Sequence, residues 1–396
     1  MRPEVRERAP GHPEEALQVG EPIDPAPQSL ARDAGILAGY PARLGATISH
    51  SPPGAAEEES LTLLSKRDTK ERAVPENDRI RIVPESGGRW ISWLGRPIRY
   101  MAGGEQTVGT YGFCWGRVPP GLGAPPHRHA FLEGFYVLKG EINFTAGNRV
   151  VTIPQGGFLA IGGGTAHAFN VVGSGDAEFL TLVAPAGFDR YQAEAGRPVA
   201  DGSGPFDPPT PEDLARMRSL ARTYGYELDS PEDAFRVEPE ILARQPCEGP
   251  MIAASGDLYT FLAEGEDTGG RYALWDAVVP PGGGPPPHIQ TREHEGFYVL
   301  EGELTFRAAG EEVVAGPGTF VGVPPGVAHS FRNETDRPAR QLIWVAPAGL
   351  EKLIRETGRV VTDRSAPTPP PARDEIERLL AAAPRYGVEI LSLEGR

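Results

Sequence analysis

Five of the eight histidines in this chain fall into two similar sets that also contain carboxylate or amide side chains. Imidazole and carboxylate groups gathered in this way are typical ligands of first-row transition metals. The sequence therefore predicts two metal sites, one with a full set of ligands and one altered. The first set is His127, His129, Glu133 and His167, and the second is His288, Gln290, Glu295 and His329.

The spacing within the first set favours a single cavity. His127 and His129 are two residues apart, and residues i and i+2 of a strand point to the same face. Glu133 begins the next apolar segment, in which Phe135 and Val137 should share its face and form part of the pocket wall. His167 arrives from a later strand. Three imidazoles and one carboxylate leave coordination positions open, which is typical of a catalytic site rather than a closed structural site.

The second set differs from the first at one ligand. Gln290 stands where the first set has His129, and an amide oxygen is a weaker donor than imidazole for these ions. His294 precedes Glu295 directly, so on a regular strand it points to the opposite face and does not replace the missing imidazole. We therefore expect lower metal affinity at the second site, and the sequence leaves its occupancy open.

The two sets belong to an internal duplication of a whole domain. Gly134 corresponds to Gly296 and His167 to His329, in both cases 162 residues apart. Upstream of the second set the offset is 161, because that set has one extra residue before its glutamate. The repeat runs from about residue 85 to the C-terminus. We accordingly predict an N-terminal extension over residues 1–80, largely irregular, and two domains over residues 81–235 and 236–396.

Each repeat is predicted to be a β-structure closed by one short helix. Short apolar, β-branched segments lie between Gly/Pro turns, a pattern typical of an all-β sandwich or barrel. In the first repeat Thr210 is a candidate helix cap, with Pro211 at the first helical position. In the second repeat an apolar stripe that includes Ile376 and Leu379 predicts a helix that stops near Pro384.

Composition limits the partners of the chain. A formal net charge of −15 argues against a nucleic-acid partner. No apolar run has the length of a transmembrane helix, and the first residues lack the apolar core of a secretory signal. Two cysteines cannot form a disulfide framework. We expect a cytoplasmic protein without nucleic-acid or membrane partners.

Two spaced motifs resemble those of the cupin superfamily. The pattern H-x-H-x3-E-x6-G matches His127, His129, Glu133 and Gly140, and the later glycine-histidine motif matches Gly156, Gly164 and His167. A chain with two such sets resembles a bicupin. The segments GEDTGGRYALWDAVVPPGGGPPPH and EGFYVLEGELTF are similar to the quercetin 2,3-dioxygenase group. The resemblance implies two tandem cupin barrels of the double-stranded β-helix, or jelly-roll, type.

The same resemblance implies a metal-dependent dioxygenase. One or two divalent ions of Fe, Mn, Ni, Co, Cu or Zn are expected, with O2 and a small, aromatic enol or hydroxy-ketone as substrates. Glu133 would accept the substrate proton as a general base. Many cupins pair through strand edges, so a homodimer is one expected assembly. The pocket wall would comprise Phe135, Val137, Phe158 and Phe169.

Two alternatives stay open. One is a different bicupin enzyme, such as an oxalate decarboxylase-like lyase, an isomerase or a cyclase. An oxalate enzyme needs a cation over its anionic substrate, and the sequence places no arginine in the first pocket, since Arg128 should point away from the ligands. The other alternative is a non-catalytic bicupin that binds a small molecule.

Overall fold

The computed structural model describes residues 79–204, 207–364, 368 and 370–391. All but the last two residues of the predicted N-terminal extension lie outside this range. The described part is built mainly from strands, as expected for an all-β fold. None of its helices is both long and apolar enough to cross a membrane.

The first thirteen strands belong to the first repeat, and the fourteenth begins the second. They are β1 (Arg81–Val83), β2 (Arg89–Trp93), β3 (Arg96–Ala102), β4 (Gly112–Val118), β5 (Gly123–His129), β6 (Leu132–Lys139), β7 (Glu141–Ala146), β8 (Arg149–Pro154), β9 (Phe158–Ile161), β10 (His167–Val172), β11 (Ala177–Ala184), β12 (Arg197–Pro198), β13 (Tyr226–Leu228) and β14 (Ile241–Arg244).

The remaining strands repeat the same sequence of short elements. They are β15 (Met251–Ala254), β16 (Asp257–Ala263), β17 (Ala273–Val279), β18 (His288–Gln290), β19 (His294–Glu301), β20 (Leu304–Ala308), β21 (Glu311–Ala315), β22 (Phe320–Val323), β23 (Ala328–Arg332), β24 (Ala339–Ala346), β25 (Arg359–Val361) and β26 (Val388–Ile390).

Each domain consists of one eight-stranded and one five-stranded antiparallel sheet. The first domain has the orders β12-β2-β3-β4-β11-β6-β9-β14 and β13-β5-β10-β7-β8. The second has β1-β22-β19-β24-β17-β16-β15-β25 and β21-β20-β23-β18-β26. In the first domain both sheets contribute to one apolar core, in which Phe135 and Val137 of the large sheet meet Phe144 of the small sheet. Burial of such side chains is the main force that holds the two sheets together.

The two domains exchange one edge strand each. β1 pairs with β22 of the second domain, with Ile82 opposite Val321. β14 pairs with β9 of the first domain, with Leu242 opposite Ala160. Each large sheet therefore contains one strand from the other side of the predicted domain boundary between residues 235 and 236. That boundary remains a prediction about the duplicated sequence unit.

The outer faces of the two large sheets pack against each other in an aromatic interface. The rings of Phe113 and Trp344 lie 4.4 Å apart, with Trp344 fully buried. Gly296 lies beneath this tryptophan, and a Cβ atom there would come within 2.2 Å of the indole ring. Gly134, the corresponding residue of the first domain, lies similarly close to Tyr272 and Phe158. The two glycines thus permit the close approach of the sheets.

In the described part of the chain four α-helices follow the barrels, α1 (Phe188–Ala195) and α2 (Pro211–Ala221) in the first domain and α3 (Leu350–Thr357) and α4 (Arg373–Ala382) in the second. Only the second helix of each pair was predicted from the sequence. The α2 start is as expected, because the Thr210 hydroxyl accepts from the Asp213 amide and the Asp213 carboxylate accepts from the Thr210 amide. The first helices follow Gly187 and Gly349 with no side-chain cap, so they lack the signal that marks α2.

The first pair of helices covers one end of the first barrel. The Tyr191 hydroxyl of α1 donates a hydrogen bond of 3.0 Å to the Met217 carbonyl of α2. Both residues join an apolar cluster with Phe131 and with Tyr226 of β13. This cluster lies next to the metal-ligand residues, so the helices help to enclose the candidate site.

Candidate metal centre and its cavity

Three strands of the first barrel bring the predicted ligands together. β5 ends with His127 and His129, β6 begins next to Glu133, and His167 is the first residue of β10. The antiparallel register places His167 opposite His127. One ligand atom from each of these four residues lies within 4.8 Å of the others, and all but the partly exposed His127 are buried.

The glutamate occupies the middle of this ligand cluster. Glu133 Oε2 lies 3.0 Å from His129 Nε2 and 3.5 Å from His167 Nε2. The ring centroids of His127 and His167 are 4.2 Å apart. Phe131 stacks on the His129 ring with centroids 3.7 Å apart, which restricts the orientation of that imidazole. The four side chains therefore converge on one small volume.

Backbone carbonyls determine which nitrogen of each imidazole faces the centre. The Nδ1 atoms of His127, His129 and His167 lie 2.8, 3.1 and 2.9 Å from the carbonyl oxygens of Pro125, Phe131 and Thr165. An Nδ1–H group that donates to a carbonyl leaves Nε2 with its lone pair directed inward. Such outer contacts orient histidine ligands in metal sites.

The electrostatics of this centre call for a cation. Burial, assisted by the neighbouring histidines, lowers the pKa of His127 to about 3, and burial also lowers the pKa of His129. Burial alone would raise the pKa of Glu133, but its hydrogen bonds to His129 and His167 outweigh this and lower it. When the imidazole protons are held at Nδ1 by the backbone carbonyls, the Nε2 lone pairs and the ionised carboxylate face one another with no hydrogen between them. This donor set fits a divalent transition metal.

A largely apolar cavity of about 100 Å3 opens beside the cluster. Its wall includes His127 and Glu133, together with Phe135 and Phe169 as the sequence predicted. The α1 helix contributes Phe188 at the same cavity. An apolar wall next to a few polar groups is typical of a small-molecule site.

Two of the predicted wall residues lie elsewhere. Phe158 was expected in the pocket, but its side chain belongs to the interface between the two large sheets. The reason is register, because Phe158 pairs with Tyr136 and so shares its outward face, while Leu159 pairs with Phe135. Val137 does face the barrel interior, but it lies within the apolar core and not among the cavity-lining residues.

Arg96 and Tyr226 are among the polar residues of the cavity that the sequence prediction missed. Arg96 begins β3, is buried, and donates from Nη1 to the Gly123 carbonyl at 2.7 Å. Burial lowers the pKa of Arg96 to about 10, so its guanidinium is still charged at neutral pH. Burial also raises the pKa of Tyr226 well above its usual value, so its hydroxyl stays protonated. Aligning the two repeats could have drawn attention to both residues. The second repeat has Asp257 in place of Arg96 and Val388 in place of Tyr226, so these polar groups are present only in the first repeat.

The second domain brings His288, Glu295 and His329 together as a second potential metal site. Gln290, the fourth predicted ligand, donates from Nε2 to Glu295 Oε2 at 2.6 Å. His329 Nε2 also lies 2.8 Å from that oxygen. Burial opposes protonation of His329, but its hydrogen bond to Glu295 outweighs this and raises its pKa. Glu295 is therefore satisfied by protein donors, and the need for a cation is weaker than in the first site.

The cavity of the second domain has a different lining. Its lining has Trp275, Leu353 and Val388 at the positions of Cys114, Tyr191 and Tyr226. The volume is about 80 Å3. His294 lines a different cavity with Arg81 and Phe320, apart from the ligand cluster. The duplicated fold thus carries two unequal sites.

Comparison with known proteins supports the duplicated architecture. The Cupin domain family matches residues 115–183 and 275–345. Quercetin 2,3-dioxygenase of Bacillus subtilis is 24% identical over 288 residues, which cover 69% of this chain and 83% of that protein. A β-D-galactosidase of Mycobacterium tuberculosis is 35% identical over 98 residues, which cover 24% of this chain and 84% of that protein.

A similar solved structure is a point variant of oxalate decarboxylase from Bacillus subtilis. It has 17% sequence identity and a TM-score of 0.47, and the match covers 69% of this chain and 80% of that chain. The two Cupin domain matches coincide with the two barrels and their ligand clusters. The chain therefore carries two Cupin domains, as a bicupin does, and is similar to a bicupin enzyme.

Proposed function

We propose that the chain is a metal-dependent oxygenase that acts with O2 on a small enol or hydroxy-ketone substrate at the first site. The observation that carries this proposal is the convergence of three imidazoles and Glu133 at one end of a largely apolar cavity. The relationship to a quercetin 2,3-dioxygenase supports an oxygenase. We propose His127, His129, Glu133 and His167 as the ligands of the active metal.

The residues of the first site have separable roles in this proposal. Glu133, which is buried and ionised, accepts the proton of the substrate hydroxyl. A divalent metal held by His127, His129, Glu133 and His167 would supply Lewis acidity to an electron-rich substrate oxygen. Phe135 and Phe169 hold the apolar part of the substrate and exclude water from the anion. Fe, Mn, Ni, Co, Cu and Zn all suit this donor set.

Oxygen uptake is the direct test of this function. We expect metal-loaded protein to consume O2 with at least one member of a panel of flavonols and smaller enolic ketones. The same substrate should not turn over without O2. His167→Ala should abolish uptake, whereas His294→Ala, outside the ligand cluster, should retain it. Anaerobic turnover of the substrate would instead point to a lyase, isomerase or cyclase.

One observation favours such a non-oxidative reaction as the second candidate. The buried guanidinium of Arg96 provides the cation that the sequence did not place in the first cavity. A lyase that acts on a small acid would release CO2 without consuming O2. Gas analysis of the same reactions separates the two candidates. A bicupin that only binds its ligand would show neither change.

Three further expectations accompany this function. Gln290 is proposed as a weak fourth ligand of the second site, with His288, Glu295 and His329. A homodimer is proposed, and light scattering of the purified protein measures its mass. A cytoplasmic location is proposed from the sequence, and fractionation of cells that express the chain tests it.

A further inference from the structure

Among the residues that the structure describes, Arg96 is a buried cation without an anionic partner. Its hydrogen bond to the Gly123 carbonyl uses one of the five N–H donors of the guanidinium. Within the described part of the chain, no carboxylate forms an ion pair with it. Burying an unpaired charge is strongly unfavourable, and such groups are normally paired or serve a functional site. The residue lines the cavity beside Glu133, so a ligand in that cavity can supply the missing anion.

Tyr226 is a second unsatisfied polar group at the same cavity. Its hydroxyl is buried and has no hydrogen-bond partner among the described residues. Strand pairing places Tyr226 opposite His129, and the two rings lie 5.0 Å apart. An unsatisfied buried hydroxyl costs free energy unless a ligand or water pairs with it. The two groups are thus complementary to a ligand with several oxygen atoms.

The second domain shows that the fold does not require these side chains. Asp257 replaces Arg96 there, and its carboxylate accepts a hydrogen bond from the Gly284 amide at 3.0 Å. The arginine contacts the carbonyl of the matching glycine, and the aspartate contacts its amide. Val388 replaces Tyr226 and packs in the apolar core of the second barrel. The cation and the hydroxyl are therefore specific to the cavity with the complete ligand set.

We propose that Arg96 and Tyr226 recognise a carboxylate-bearing substrate, specifically a small hydroxy acid or enolisable keto acid. Arg96 pairs with the carboxylate, and the Tyr226 hydroxyl donates to a second substrate oxygen near the metal ligands. The proposal rests on the proposed function, which places the substrate's enol or hydroxyl oxygen at the metal. The cavity of about 100 Å3 favours a compact acid over a flavonol, because larger ligands occupy sites of roughly 300–1,000 Å3.

Binding of salicylate and salicylamide to metal-loaded protein tests this assignment. The two probes share the phenol and differ in whether a charged carboxylate or a neutral amide stands beside it. We expect the unmodified protein to bind salicylate at least ~10-fold more tightly in calorimetry. Arg96→Met should remove this preference without weakening salicylamide. Tyr226→Phe should weaken both probes, and the matched control Asp257→Asn should change neither affinity.

Several results would overturn the assignment. They are equal binding of the two probes, no binding of salicylate, or an Arg96→Met variant that keeps the preference. If that variant does not fold, Arg96→Lys serves as the test. The lysine ammonium cannot form the two parallel hydrogen bonds of a guanidinium, so the affinity for salicylate should fall and the affinity for salicylamide should stay the same. Unaltered salicylate affinity in Arg96→Lys contradicts the proposal.

The titrations are carried out without O2, which separates this proposal from the oxygenase. Arg96-dependent salicylate binding in a protein that consumes no O2 with any enolic compound would refute the oxygenase and keep the acid site. Oxygen uptake with neutral enols, together with equal binding of salicylate and salicylamide, would refute the acid site alone.

Discussion

His127 and His167 lie opposite each other across the pairing of β5 and β10, with their ring centroids 4.2 Å apart. His288 and His329 repeat this cross-strand pair in the second domain at 4.3 Å. The pair is therefore retained in both barrels, and the third imidazole is present only in the first. The difference in metal affinity between the two sites should arise from this third position.

Replacing His167 with alanine should empty the first site. The variant loses one of three imidazoles, and we expect its metal affinity to fall by at least ~100-fold. Metal content by mass spectrometry after dialysis against a chelator measures the loss. His294→Ala is the control, because His294 is buried outside the ligand cluster. Equal metal content in the two variants would show that the cluster does not bind metal.

Introducing the missing imidazole should strengthen the second site. In Gln290→His, the amide that donates to Glu295 is replaced by a stronger ligand, and we expect affinity to rise roughly 10-fold or more. Competition against a chromogenic chelator should reveal a second, tighter equivalent of metal. Gln245→His, on the exposed surface, controls for nonspecific histidine binding. No gain over that control contradicts the role assigned to Gln290.

Phe158 and Phe169 should respond differently to truncation. Phe158→Ala removes a fully buried ring from the domain interface, so its free energy of unfolding should fall by about 3–5 kcal/mol. Phe169→Ala enlarges the cavity of the first site, so it should change KM more than stability. Urea denaturation and steady-state kinetics measure the two effects. A large change in KM for Phe158→Ala, with an unchanged free energy of unfolding, would show instead that Phe158 lines the pocket.

Gly296→Ala should destabilise the interface between the large sheets. The added Cβ would meet the Trp344 ring at 2.2 Å, and overpacking of this kind costs about 1–3 kcal/mol. Gly316→Ala is a suitable control, because a Cβ there meets no atom within 4 Å. Both melting temperatures can be measured by calorimetry. A similar melting temperature for the two variants would mean that the interface adjusts around the methyl group.

The ligand clusters were predictable from the sequence because they depend on local spacing. Residues two apart on one strand share a face, which brings His127 and His129 together before any tertiary information is available. The duplication then located the second cluster and the Gln290 difference. The all-β, two-barrel fold followed from the same repeat and its cupin-like motifs, and it is confirmed.

The remaining features depend on pairing between distant strands. Phe158 was misplaced because the face of β9 is determined by its register with Tyr136, which sequence alternation alone does not reveal. Arg96 and Tyr226 reach the cavity from β3 and β13, and neither belongs to a motif. The uncapped helices α1 and α3 were missed for a different reason, since packing rather than local signals stabilises them.

Because β1 and β14 are exchanged, each half of the molecule completes the large sheet of the other. Removal of either half would strip one strand from the surviving sheet and expose β9 or β22 as an open edge, which invites aggregation. Each half would therefore be needed for the folding and solubility of the other, whether or not its own site is active. The two ligand sets differ at Gln290, whereas the outer faces of the two large sheets are packed against each other.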